Sequence, residues 1–131
     1  MESEQLAAVR GVYEEWAQGN FRAGREILSD EVSFHIDYPH GPRKYEGPAG
    51  VAEYMREILR EWDGMRVAAE ELLEVGDTVF VSQRQIQRGK GSGVATEART
   101  AAVWTFHAGR VIRLQFFRDP EEARVAAGVP N

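Results

Sequence analysis

The sequence contains no cysteine. Disulfides, thiolate zinc centres and cysteine nucleophiles are excluded at once. It also lacks net positive charge: 16 basic against 21 acidic side chains give −5 at pH 7. Nucleic acid is therefore not expected as a partner, because phosphate binding needs a basic face. No stretch approaches the roughly 18 uninterrupted apolar residues of a membrane helix, so no membrane partner is expected either. The N-terminal MESEQLAAVRGVYEEWAQ carries acids where a secretory signal needs positive charge, and no apolar core follows them. The expectation is a cytoplasmic protein. Repeats, low-complexity segments and internal linkers are absent too, and 131 residues suit one domain spanning 1–131. A chain of that length buries roughly two-thirds of its unfolded surface, enough for one core.

What is present is a clear change of pattern along the chain. After Ser3, Leu6, Val9, Tyr13, Trp16 and Ala17 recur at helical spacing until Gly19. Asn20 can cap a short second helix carrying Phe21, Ile27 and Leu28. Val32 to Tyr38 alternates as a short strand, which Pro39 and Pro42 break. Gly47-Pro48 opens a third helix with the stripe Val51, Tyr54, Met55, Ile58, Leu59 and Trp62, closed by Asp63-Gly64. The second half is β-branched and aromatic: Met65 to Val75, Thr78 to Arg88, Val94 to Phe106 and Arg110 to Arg118. Gly76-Asp77, GKGSG and His107-Ala108-Gly109 separate these runs as hairpin turns, which predicts an antiparallel meander. Asp119-Pro120-Glu121-Glu122 starts a last short helix that Gly128 stops. Helices first and sheet second is α+β. One short and four long strands do not close a barrel; they curl around the helices and leave a conical hollow.

The order of elements resembles the SnoaL-like branch of the nuclear transport factor 2 and ketosteroid isomerase superfamily. Three stretches carry the likeness: YEGPAGVAEYMREI, VGDTVFVSQRQIQRGKGSG, and VWTFHAGRVIRLQFFRDPEEARVAAG. It covers nearly the whole chain. The resemblance implies N-terminal helices packed in a strongly curved antiparallel sheet, a cone-shaped α+β barrel of the cystatin-like roll kind with an internal pocket. That superfold hosts isomerases, cyclases, dehydratases, epoxide hydrolases and pure binding modules.

Candidate residues follow from the same likeness. In the strand ending at Phe106, Ala98, Thr100, Ala102, Trp104 and Phe106 share one face; Leu114, Phe116 and Arg118 share another. After Asp77 two faces are possible, Phe80, Ser82, Arg84 and Ile86, or Val79, Val81, Gln83 and Gln85. The isomerase branch implies that the first set lines the hollow, with Tyr38 at its mouth and Tyr54 above. Arg84 and Arg118 then bind an anionic or carbonyl oxygen, or they pair with Asp37, Glu97 or Glu14. The isomerase's base aligns best with Tyr38, one residue beyond Asp37, and its oxyanion acid with Ala102. Its first-helix tyrosine is matched, one residue off, by Tyr13. Polyketide cyclase relatives place an acid/base where Asp119 stands, a residue that a helix N-cap also explains. His35, Asp37 and His40 offer metal-donor chemistry, but the superfamily works without metal; no metal and no cofactor are expected. GKGSG lacks the phosphate-loop spacing.

Two readings stay open. One is a cofactor-independent isomerase, cyclase or dehydratase-type enzyme moving a proton on a small carbonyl compound. It would use Asp37 or Asp119 as acid/base, with Tyr13, Tyr38, Tyr54, Arg84, Trp104, Phe116 and Arg118 around the small-molecule ligand. The other is a non-catalytic ligand-binding or association module. A carboxylate facing the hollow with a raised pKa separates them. An apolar outer surface of Val79, Val81, Val103, Thr105 and Ile112 further predicts a homodimer through the sheet.

Overall fold

A computed structural model of the chain describes residues 2–37 and 42–130. Helix α1 (Glu4–Trp16) starts where the Ser3 side chain accepts from the Leu6 N–H, and buries Val9, Val12, Tyr13 and Trp16. The expected second helix is only a 3₁₀ turn, Arg25–Ile27. Ile27 and Leu28 fit either pattern, and strand pairing takes Leu28 into β1 (Leu28–Ile36). A short strand not foreseen, β2 (Arg43–Glu46), pairs antiparallel with β1. Helix α2 (Gly47–Glu61) follows, with Pro48 in its first turn and Tyr54 and Ile58 buried.

Then come β3 (Trp62–Val75), β4 (Thr78–Gly89), β5 (Ala95–His107) and β6 (Arg110–Phe117). The β5–β6 turn puts Ala108 at φ +52 and Gly109 at φ +81, the pair of positive φ angles a type I′ hairpin requires. Helix α3 (Pro120–Ala127) runs from the Asp119 cap to Gly128, as its sequence predicts.

The six strands form one curved α+β sheet in the order β2-β1-β6-β5-β4-β3. All neighbours are antiparallel except β1 and β6, which are parallel; the expected all-antiparallel sheet is corrected there. Register shifts in β1, in β3 at two places and between β5 and β6 bend the strands. The concave face packs α1 and α2 over the main core, including Val79, Val81, Ala102, Trp104 and Leu114. On the convex face α3 lays Ala123 and Ala127 over Phe80, Ala101 and Val103.

This arrangement corrects two expectations. Cross-strand partners share a face, and the register pairs Val79 with Trp104, Val81 with Ala102 and Gln83 with Thr100. The inward set of β4 is therefore Val79, Val81, Gln83 and Gln85, not Phe80, Ser82 and Arg84. Phe80 is apolar because α3 covers it outside. The apolar outer surface expected to join two copies is likewise different: Val79 and Val81 turn inward and Val103 lies under α3. No helix among the described residues is long and apolar enough to cross a membrane.

Candidate functional site

The concave face and the two helices above it enclose an aromatic belt. Trp104 lies 5.9 Å from Tyr13 and 5.7 Å from Trp16, ring centre to ring centre. Trp16 meets Phe116 edge-on at 6.3 Å, and Phe116 meets Phe34 at 5.1 Å. Phe34 contacts Tyr54 at 5.0 Å, and Tyr54 contacts Tyr45 at 5.6 Å. Edge-to-face contacts of this kind each add about 0.5–1.5 kcal/mol beyond area burial.

One polar row crosses the belt. The Trp104 indole N–H donates to the Tyr13 hydroxyl at 3.1 Å. Tyr13 donates to the Gln83 amide oxygen, and the Gln83 amide nitrogen donates to the Thr100 hydroxyl at 3.0 Å. Gln83 and Thr100 are buried, so each of these bonds answers a desolvation cost. Beside them Gln85 donates to Gln87 at 2.6 Å. On the α2 side, Glu57 accepts from Arg43 at 3.1 Å and from the Tyr45 hydroxyl at 3.0 Å. Burial, then the bond to Glu57, pushes the Tyr45 phenol above its ordinary pKa.

Among the described residues, this interior includes two small cavities of about 30 Å³ each. One is bounded by Tyr54, Ile58, Met65, Val67, Gln83 and Gln85. The other is bounded by Gly24, Leu28, Phe34, Val51, Trp104 and Leu114. Trp16, Phe21, Met55 and Phe116 border both and form the partition. Each cavity holds roughly two waters, so a larger occupant needs the partition to move. Met55, unbranched and with three rotatable bonds, is the side chain built for that. Outside the partition, Phe21 and Met55 also floor an open groove of about 240 Å³ that reaches Arg22, Arg25, Arg56 and Leu59.

A family model described as SnoaL-like domain matches residues 9–114. The chain belongs to the SnoaL-like family. Solved structures agree on the fold. An NTF2-like protein of unknown function from Burkholderia pseudomallei K96243 superposes with a TM-score of 0.79 at 21% identity, over 96% of this chain and 98% of that one. A putative SnoaL-like polyketide cyclase from Jannaschia sp. CCS1 gives 0.76 at 19% identity, over 100% and 99%. TerC, co-crystallised with polyporic acid, gives 0.72 at 21% identity, over 95% and 98%. No curated protein matches the chain significantly.

Within this SnoaL-like chain the expected site residues fall into two groups. Tyr54, Trp104 and Phe116 border the cavities, and Tyr13 stands behind Gln83. Arg84 does not join them: it is on the convex face and faces Glu97 at 3.8 Å. Arg118 is exposed beyond the end of β6, and its backbone N–H donates to Asp37 at 3.1 Å. Asp37 thus holds a backbone amide outside the hollow. Asp119 accepts from the Glu121 N–H at 2.9 Å and caps α3. Both carboxylates lie off the cavity walls. Tyr38 and His40 lie outside the described residues. His35 neighbours Arg113, Lys44 and Ser33 on the convex side, where burial first and then the two cations lower its pKa. Among the described residues no three His, Cys, Asp or Glu side chains gather as a metal site. Ala102, aligned with the isomerase acid, is fully buried beside Val81.

The cap role of Asp119 yields a direct expectation. Asp119→Ala loosens α3 and lowers stability by about 1 kcal/mol. Chemical denaturation measures the loss; unchanged stability contradicts the cap role. Sequence reasoning missed Gln85, Met55, Phe21 and the arginines of the groove. The signal for Gln85 was available, since Val79, Val81, Gln83 and Gln85 alternate as cleanly as the other set.

Proposed function

We propose that the chain binds a small, flat, largely apolar molecule in the hollow between the concave sheet and helices α1 and α2. The observation that carries this reading is the chemistry of the walls. They are aromatic and aliphatic apart from the Tyr54 hydroxyl, the Gln83 and Gln85 amides and the exposed Arg25, and no carboxylate borders them among the described residues. Neutral amides suit a carbonyl or hydroxyl oxygen at the edge of an otherwise apolar body. Opening the Met55 partition joins the two cavities and supplies the space.

The finer reading, a proton-transfer enzyme acting on a carbonyl compound, needs an acid/base within hydrogen-bond reach of the ligand. Asp37 and Asp119 are both occupied with backbone amides elsewhere. Binding without acid/base catalysis by those two carboxylates is the function we favour.

The test is a fluorescence titration with the neutral probe N-phenylnaphthylamine. The native protein is expected to bind it. Val51→Phe, which projects a ring from α2 into the cavity, is expected to weaken binding by about tenfold or more. Ala23→Leu fills the same cavity from another wall and is expected to act alike, which guards against a variant that fails to fold. No binding by the native protein, or undiminished binding by both folded variants, sinks the reading.

A further inference from the structure

The acidic chain carries a local excess of arginine at one spot. Arg10, Arg43, Arg84, Arg99 and Arg124 each face a carboxylate. Arg22, Arg25 and Arg56 make no ion pair and no side-chain hydrogen bond among the described residues. All three border the open groove outside the partition, and among the described residues no acid borders it. They arrive from two separate elements: Arg22 and Arg25 from the α1–β1 connection, Arg56 from α2. Acids stand beside the groove but not in its lining: Glu15 accepts from the Asn20 side chain at 3.3 Å, Glu26 accepts from the Gly24 N–H at 3.4 Å, and neither they nor Glu53 border it. Arg60, Arg88, Arg113 and Arg118 likewise make no ion pair among the described residues, but none of them borders this groove; what sets Arg22, Arg25 and Arg56 apart is that they meet in one place in a chain of net charge −5.

The groove is also continuous with the hollow. Phe21 and Met55 border the groove and both cavities, and Arg25 borders the groove and the cavity under Val51. A molecule whose body passes the Phe21–Met55 partition therefore leaves its outer end among three guanidinium groups. Apart from Arg25, which the groove shares, the hollow offers only neutral hydrogen bonds, so an ionised group is costly in its interior. In the groove it meets planar, doubly donating guanidinium groups and water.

We infer that Arg22, Arg25 and Arg56 form the anion-binding half of the ligand site, and that the ligand is an aromatic carboxylate: its flat apolar body in the hollow, its carboxylate in the groove. This rests on the hollow being a binding site and adds the ligand's charge and direction. The arginines act as a selectivity filter at the mouth, drawing anions towards it and holding the charged end once the body is inside. Exposed pairs are individually weak, so three act where one does little. The attraction falls with added salt.

Two probes with one body separate this inference from the reading it rests on. Anilinonaphthalene sulfonate carries an anionic group standing in for the carboxylate; N-phenylnaphthylamine has the same aromatic body without it. Both are titrated at low and high salt against the native protein and against the triple variant Arg22→Gln, Arg25→Gln, Arg56→Gln. All three side chains are exposed, so circular dichroism of the variant is expected to match the native protein. The expected result is tighter binding of the sulfonate at low salt, a preference reduced by about tenfold in the triple variant and by high salt. The neutral probe does not respond to salt, and the triple variant weakens it far less than the sulfonate, any residual loss reporting the place of Arg25 on the cavity wall. If both probes bind equally, or the sulfonate's preference survives the triple substitution, the arginine inference fails and the hollow reading stands. If neither probe binds, the hollow reading fails and takes the inference with it. Benzoate and naphthoate, tested as competitors of the sulfonate, are expected to displace it from the native protein; failure to do so contradicts the carboxylate assignment.

Discussion

Trp104→Ala is expected to remove about 3–5 kcal/mol of folding free energy, the largest effect of any single substitution considered for this chain. Trp104 is 1% exposed and stands at the centre of the concave face. It packs on Tyr13 and Trp16 from one side and borders the cavity under Val51 on the other. Its register partners Val79 and Leu114 are themselves buried, so β4 and β6 cannot close over the space an alanine leaves. The loss therefore has two parts, the transfer term of the indole and a cavity term that grows with the unfilled volume. Against a typical domain stability of about 5–15 kcal/mol, this leaves a protein close to unfolding at ordinary temperature. Trp104→Phe separates packing from hydrogen bonding: it keeps most of the ring contact and deletes only the donor to Tyr13. Its expected cost is about 1–2 kcal/mol. Urea unfolding of the three proteins checks both figures. An alanine variant within about 1 kcal/mol of the native protein contradicts the central position of Trp104.

Most elements were legible because their signals are local. The Asp-Pro-Glu-Glu start of α3, the Ala108-Gly109 turn and the helical stripe of α1 depend on neighbours a few residues away. What was not legible depends on distant partners. Arg43 to Glu46 is four residues between a proline and a glycine, and it becomes a strand only because β1 offers it an edge. The parallel pairing of β1 with β6 has no local signature at all. The face of β4 failed for a different physical reason. Both of its faces are apolar over the first residues, one against Trp104 and one beneath α3, so an aromatic at Phe80 carries no information about which side is the hollow. Arg84 was carried to the wrong face by that one choice. The aromatic residues Tyr54, Trp104 and Phe116 were placed at the hollow by the family likeness, not by the period, and they border the two cavities. The arginine groove was not legible, since its members join only when the α1–β1 connection packs beside α2.

The buried polar row predicts non-additive mutations. Tyr13→Phe removes the hydroxyl that accepts from Trp104 and donates to Gln83, leaving two buried groups unpaired. Its expected cost is about 2–3 kcal/mol. Gln83→Leu keeps volume but removes the acceptor of the Tyr13 O–H and the donor to the Thr100 hydroxyl, for a similar cost. In the double variant the bond between positions 13 and 83 is absent from both sides, so its loss is counted once. The double variant is expected to be at least about 1 kcal/mol less damaged than the sum of the singles. It does not return to native stability, because the Trp104 N–H still lacks its acceptor and Thr100 its donor. Adding Trp104→Phe to the double variant removes the first of these orphans and is expected to cost less there than in the native background. Strict additivity within about 0.5 kcal/mol shows that the row is a set of independent contacts. Coupling shows instead that Trp104, Tyr13, Gln83 and Thr100 are held as one unit, which fixes the orientation of the Gln83 amide at the cavity wall.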